Sequence, residues 1–116
     1  MDIKKLDETF SVCSQLRPED MVLIAADGFG SIICNRPDGE EAGQPGFAEV
    51  AAFAEQQGLE AIHVPVPGLN ITPHDLEEFR AAYDKLSKPV LAYCRSGGRS
   101  TALWAALSAT TSQGIG

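Results

Sequence analysis

An apolar run, Pro89-Val90-Leu91-Ala92-Tyr93, leads straight into Cys94-Arg95-Ser96-Gly97-Gly98-Arg99-Ser100, and the helix-forming stretch Thr101-Ala102-Leu103-Trp104-Ala105-Ala106-Leu107 follows at once. The order strand, glycine-containing loop, helix constrains this chain more than any other feature. It requires a buried strand whose carboxyl end hands a cysteine to the start of a helix. In such a turn, backbone N–H groups converge on one point and the helix N-terminus adds about half a positive charge. A thiol held there loses its proton readily, and the thiolate is the reactive form. Arg99 carries a guanidinium fork able to pair two oxygens of a planar or tetrahedral anion. A cation at a helix start opposes the dipole, so its place argues for an anionic partner. The segment reads as a thiolate active site: Cys94 and Arg99 are the catalytic candidates, and Arg95, Ser96, Gly97, Gly98 and Ser100 form the anion-binding loop.

With 116 residues, 44% hydrophobic and 22% charged, the chain has the makings of one ordinary globular domain with a modest core. A formal net charge of −7 argues against nucleic acid or an anionic membrane as the main partner. An anionic ligand must then be drawn in locally, by Arg95, Arg99 and backbone amides. No apolar run approaches the ~20 residues of a membrane span, and Met1-Asp2-Ile3-Lys4-Lys5 lacks the apolar region of a signal peptide. Cys13, Cys34 and Cys94 are an odd number at no metal-ligand spacing, and His63 and His74 complete no zinc motif with them. Neither a metal nor an organic cofactor is expected, and a reducing, cytoplasmic setting fits better than a disulfide framework.

Elsewhere, strand and helix signals alternate. Phe10 to Gln15 and Ser31 to Asn35 read as short strands, with a helix between them opened by Pro18 and stopped at Gly28. A polar turn and loop from Arg36 to Gly46 precede a helix whose apolar face is Phe47, Val50, Ala51 and Ala54, ending at Gly58. Leu59 to Val66 is the next strand. Thr72-Pro73-His74-Asp75 is a helix start in which Thr72 caps and Asp75 reciprocates, followed by Leu76, Phe79, Tyr83 and Leu86 at helical spacing. The last helix is expected over Gly98 to Ala109, within a single domain at 1–109, and 110–116 as a flexible tail or the start of a linker. The pattern predicts an α/β fold, a mostly parallel sheet flanked by helices, with its ligand site at the carboxyl edge of the strands.

The Cys94–Ser100 loop resembles that of rhodanese-type sulfurtransferases, in which four residues separate cysteine from arginine. Dual-specificity and tyrosine phosphatases share the cysteine, the arginine and a following Ser or Thr, but with five residues between the first two. Ser14-Gln15-Leu16, Pro18-Glu19-Asp20, Asn35-Arg36-Pro37-Asp38-Gly39-Glu40 and Val64-Pro65-Val66-Pro67 widen the resemblance. Together they look like the phosphatase-like domain of beta-lactamase-hydrolase-like proteins, over roughly residues 1 to 109. That resemblance implies a cysteine-phosphatase-like fold with a rhodanese-length loop. It also implies fusion or functional pairing, in some members, with a persulfide-oxidising metallo-beta-lactamase-type domain.

Two chemistries compete. A cysteine phosphatase must protonate a departing alkoxide, and the resemblance to dual-specificity phosphatases places that acid roughly thirty residues before the cysteine. Here that region reads His63-Val64-Pro65-Val66-Pro67-Gly68-Leu69-Asn70 and holds no carboxylate; Asp75, farther on, is expected to serve as a cap. Loss of a general acid costs on the order of 10²–10⁴ in rate. Sulfur transfer needs no acid, because the departing sulfite or thiolate is already a stable anion. The leading expectation is a sulfurtransferase that forms a Cys94 persulfide from a small anionic sulfur donor, thiosulfate or a low-molecular-weight persulfide, and passes the sulfur to a thiol acceptor. The alternative is a phosphatase working through a Cys94 phosphocysteine, and a third is a non-catalytic anion-binding or redox-sensing module. Cys13 and Cys34 are expected in the core, with a resolving role as the sharper alternative. Arg36 is expected to pair with Asp38 or Glu40, close to Cys94. Ser96 offers an amide to the anion, and Ser100 a hydroxyl to the thiolate or to the helix as a cap.

Overall fold

Five short strands and four helices follow one another in the computed structural model, which describes the backbone of residues 1–115 and the side chains of residues 1–110. In chain order they are β1 (Lys4–Asp7), β2 (Phe10–Cys13), a 3₁₀ turn (Pro18–Asp20), α1 (Met21–Ala26), β3 (Ser31–Cys34), α2 (Phe47–Gln56), β4 (Glu60–His63), α3 (Pro73–Lys85), β5 (Val90–Tyr93) and α4 (Gly98–Ile115). The sheet order is β1-β2-β5-β3-β4, with β1 antiparallel to β2 and the other pairings parallel. Strand β1 had no signal in the sequence. Its Lys-Lys-Leu-Asp residues are largely exposed on the sheet edge, where apolar alternation is not required.

Alternation along the strands sorts two apolar layers. Phe10, Val12, Ile33, Val90 and Ala92 point toward α3 and α4, where Phe79, Ala82, Leu103 and Leu107 close the layer. Cys13, Ile32, Cys34, Leu91 and Tyr93 point the other way, against Met21 and Ile24 of α1 and Val50 and Ala54 of α2. Trp104 is only partly buried and stacks on Phe10 with ring centroids 4.2 Å apart.

Several boundaries differ from expectation. Strands β2 and β3 stop at Cys13 and Cys34, and β4 covers only Glu60–His63, since the carbonyl and amide groups beyond turn to loop partners: Val64 N donates to Cys34 O and Val66 N to Asn35 O. The first helix is split, because Pro18 opens a 3₁₀ turn before α1 begins at Met21. Helix α4 runs past the expected end at Ala109, with helical backbone through Ile115. Leu107 still packs into the core there, and no glycine or proline interrupts the chain before Gly114. Gly116 lies outside the described residues. Among those described, no helix is long and apolar enough to cross a membrane.

Register places the site. Cys13 and Cys34 lie opposite Tyr93 on the two strands flanking β5, so all three strands end at one level. The next residue of the central strand is Cys94, at the carboxyl edge expected for ligand binding in such sheets.

Candidate active site

Cys94 leaves β5 and is 1% exposed, at the foot of α4. Burial by itself would push its thiol up. The backbone amides of Ser100, Arg99, Gly97 and Ser96 all bond the sulfur, and together they carry it below its ordinary value of 9.0. Gly97 N donates to Cys94 Sγ at 3.1 Å. Of the two glycines in this loop, Gly97 is the one that needs glycine's freedom: its φ is +94°, and a Cβ there would lie 3.4 Å from the carbonyl oxygen of Cys13. Gly98, also placed in the anion-binding loop by the sequence, sits at a negative φ and starts α4, its N–H donating to Ser96 Oγ. The other two thiols are different. Burial pushes Cys13 up to about 12 and raises Cys34 as well, so both stay protonated in the core, as expected of packing cysteines.

Arg99 meets its expected planar anion, but that anion is the protein's own. Its Nη1 and Nη2 donate to the two oxygens of Glu40 at 2.8 and 2.9 Å, and Nη1 also donates to Val66 O at 2.9 Å. This end-on grip leaves Nε and the second Nη2 hydrogen, and the guanidinium still bonds the Cys94 sulfur. Arg99 thereby turns toward the nucleophile the edge that Glu40 and Val66 leave open. The hydrogen bonds from Arg99 and Arg36 hold Glu40 well below its ordinary 4.5, at about 2, with burial opposing them.

Arg36, expected to pair with Asp38 or Glu40, is an internal strut. Its side chain is 3% exposed, with Nε on Glu40 (2.8 Å), Nη1 on Gln15 (3.0 Å) and Nη2 on Glu41 (2.8 Å). Asp38 instead accepts from the Phe47 amide at the start of α2. This strut presses the acidic turn at 38–41 against the Cys94 loop. Sequence reasoning missed Glu40, Glu41, Gln15 and Asn35 as site residues. Asn35 Oδ1 accepts from Ser100 Oγ at 2.8 Å, and its Nδ2 donates to Val64 O at 2.9 Å. The Ser100 hydroxyl therefore does neither of its expected jobs, and only its amide reaches the thiolate. A clue was present: a buried Asn at a strand end next to a Ser-bearing loop needs a polar partner.

Arg95 is 68% exposed, with Nε 3.5 Å from Glu41. With Arg36, Glu40, Glu41, Pro67 and Arg99 it lines an open cleft of about 360 Å³. The segment expected to lack an acid contributes a carbonyl, Val66 O, and Pro67. Asp75 does cap α3, with reciprocal bonds to Thr72 of 3.0 and 3.1 Å. His63 packs on Phe47 and bonds Arg36 O, and His74 is exposed beside Glu78. Among the described residues, no group of three or more His, Cys, Asp or Glu is placed to hold a metal ion.

Comparison with known proteins bears on the family and the fold. Residues 2–111 match the family model described as beta-lactamase hydrolase-like protein, phosphatase-like domain. The beta-lactamase hydrolase-like protein of Agrobacterium fabrum is 35% identical over 104 residues, which are 90% of this chain and 24% of that protein. The chain thus spans about a quarter of the length of such curated relatives. A crystal structure of a candidate phosphatase from Neisseria meningitidis is 46% identical, with a TM-score of 0.82, covering 90% of this chain and 74% of that one. The core catalytic domain of a PP-IP phosphatase from S. cerevisiae shares the fold alone, at 19% identity and a TM-score of 0.64, covering 84% of this chain and 57% of that one. These names support the phosphatase alternative better than sulfur transfer, on which they are silent. The fold is that of the cysteine phosphatases, and the chain belongs to the family of the phosphatase-like domain of beta-lactamase hydrolase-like proteins.

Proposed function

We propose that the domain is a thiolate group-transfer enzyme whose cargo is sulfane sulfur, carried as a Cys94 persulfide. What supports the reading above all is the state of the carboxylates in the cleft. Glu40 and Glu41 are both held ionised below the ordinary range, mainly by their hydrogen bonds to Arg99 and Arg36 respectively. Neither is a proton donor near neutral pH, so an alkoxide leaving group finds no acid there, whereas a departing thiolate or sulfite needs none. The four-residue spacing between Cys94 and Arg99 points the same way. In the reaction, Cys94–S⁻ attacks the outer sulfur of R–S–SH, the donor S–S bond breaks, and Cys94–S–SH and R–S⁻ result. The amides of Ser96, Gly97, Arg99 and Ser100 steady the anion at each stage. An acceptor thiolate then takes the outer sulfur and returns the Cys94 thiolate.

Phosphate-ester hydrolysis is the second reading, favoured by the 46% identical structure described as a candidate phosphatase. The same amide ring and the edge of Arg99 that faces Cys94 would hold a phosphoryl group there. Lacking an acid, such an enzyme would favour esters with good leaving groups. Intact-protein mass spectrometry after exposure to thiosulfate or glutathione persulfide separates the two. A gain of one sulfur on Cys94, absent in Cys94→Ser and discharged by cyanide or a thiol, is the expected result. Brisk hydrolysis of an unactivated alkyl phosphate, with no sulfur gained, would overturn sulfur transfer in favour of the second reading. Fusion to, or functional pairing with, a persulfide-oxidising metallo-beta-lactamase-type domain is part of this proposal, as is a thiol acceptor for the sulfur.

A further inference from the structure

The cleft beside the Cys94 loop sets three guanidinium groups, from Arg36, Arg95 and Arg99, against the carboxylates of Glu40 and Glu41, and the Cys94 thiolate lies buried at the start of the same loop. The site is therefore close to neutral, in a chain of net charge −7. A dianion gains little from such a field. The individual charges are not equally engaged, however. Arg36 and Arg99 are 3% and 12% exposed and form bonds of 2.8 to 3.0 Å within the protein. Glu41 and Arg95 are 50% and 68% exposed, and their contact is a looser 3.5 Å. Both contacts of Glu41, to Arg36 and to Arg95, use Oε1. An exposed pair of this kind adds little stability and opens readily to an incoming charge.

Glu41 and Arg95 also stand on a ridge. On one side is the cleft over Arg99; on the other is an adjoining cleft of about 300 Å³, which shares Arg36, Glu41 and Arg95 and continues past Gln15, Arg17 and Gln44. A donor larger than thiosulfate can place its sulfur in the first cleft and extend over the ridge into the second. On the ridge itself it meets one carboxylate, Glu41, and one guanidinium, Arg95, side by side, with Arg17 and the buried Arg36 farther along the second cleft.

We propose that Glu41 and Arg95 select a zwitterionic sulfur donor, the persulfide of an amino acid or small peptide. Its ammonium group pairs with Glu41 and its carboxylate with Arg95, while its outer sulfur reaches Cys94. An α-amino acid carries those two groups on one carbon, a separation on the order of the 3.5 Å between Glu41 and Arg95. This rests on the sulfur-transfer reading and names its substrate class. The chemical step is unchanged: the donor's S–S bond breaks as the Cys94 S–S bond forms, and the donor leaves as a thiolate.

The test compares the persulfides of cysteine and of N-acetylcysteine, which differ in the ammonium group, by the rate at which each loads sulfur onto Cys94. The wild-type protein is expected to use the free amine about fivefold more efficiently, the worth of one exposed charge pair. Glu41→Gln keeps an oxygen for Arg36 but removes the charge, and should erase that preference while improving thiosulfate as a donor. Equal rates for the two persulfides in the wild-type protein would overturn the inference and leave sulfur transfer standing. Failure of every sulfane donor to load Cys94 would overturn both. Should Glu41→Gln misfold, the wild-type comparison alone still decides.

Discussion

Replacing Glu40 with Gln tests whether one carboxylate ties the acidic turn to the Cys94 loop. Glu40 accepts from Arg36 Nε and from both outer nitrogens of Arg99, at 2.8 to 2.9 Å. Its ionisation is carried from 4.5 down to about 2. At full strength that displacement corresponds to about 3.4 kcal/mol of coupling between charge and fold. Residue 40 faces solvent, so screening reduces the figure to about 1–2 kcal/mol. The sign follows from the lowered folded value: the contribution is complete above the unfolded carboxyl's 4.5 and is lost as pH falls from there toward 2. Urea unfolding of the wild-type protein and Glu40→Gln should therefore differ by about 1–2 kcal/mol near pH 7, and the gap should close progressively in acid. Sulfur loading by Glu40→Gln should fall as well, because Arg99 loses the grip that turns its open edge toward the thiolate. A gap of the same size at pH 7 and near pH 2 would refute the electrostatic account. So would a variant as stable as the parent at pH 7.

Gly97→Ala forces an L side chain into φ +94° and brings a Cβ to 3.4 Å from Cys13 O. It should cost about 1–3 kcal/mol and, by shifting the amide that lies 3.1 Å from Cys94 Sγ, raise the midpoint of thiolate absorbance on pH titration; an unchanged midpoint would contradict the role given to that amide. Asn35→Ala leaves Ser100 Oγ and Val64 O without their buried partner, so the urea midpoint should drop by the equivalent of about 2–4 kcal/mol. A loss below about 0.5 kcal/mol would mean that this bridge between β3 and α4 is not structural.

The fold was legible in the sequence wherever burial imposed a period. Val90 to Tyr93 and Ser31 to Cys34 are wholly buried strands, and their apolar runs announce it. Strand β1 escaped because an edge strand can be polar throughout, and Lys4 and Lys5 need only backbone pairing with Ser11 and Val12. The end of α4 escaped because Thr110, whose hydroxyl turns back to Ala106 O, is as compatible with a frayed tail as with a last helical turn. At the site, Cys94, Arg99 and the amide ring could be read from one contiguous loop. Glu40 could not be assigned from local sequence, since it lies 59 residues from the arginine it holds and its neighbours read as an ordinary polar turn. Local spacing reveals groups that act along one turn of chain, and pairings created by the strand order β5-β3 lie beyond its reach.

That long-range pairing also bears on which chemistry the cradle serves. Four amides around a low-pKa thiol suit a phosphoryl group or a sulfane sulfur equally well, so the cradle alone does not choose. The choice falls to whatever must meet the leaving group. A carboxyl able to give a proton near neutral pH needs burial or a negative neighbour to raise its pKa, as general acids have. Glu40 has the opposite surroundings: Arg36 on one side, Arg99 on the other, and an ionisation carried down to about 2. The contact that aims Arg99 at Cys94 is thus the same contact that bars Glu40 from acid catalysis. Glu41, bonded to Arg36 and set beside Arg95, is lowered too. Glu40, fixed by the arginine it orients, is an ionised acceptor rather than a proton donor near neutral pH, and the proposed sulfur transfer rests on that state.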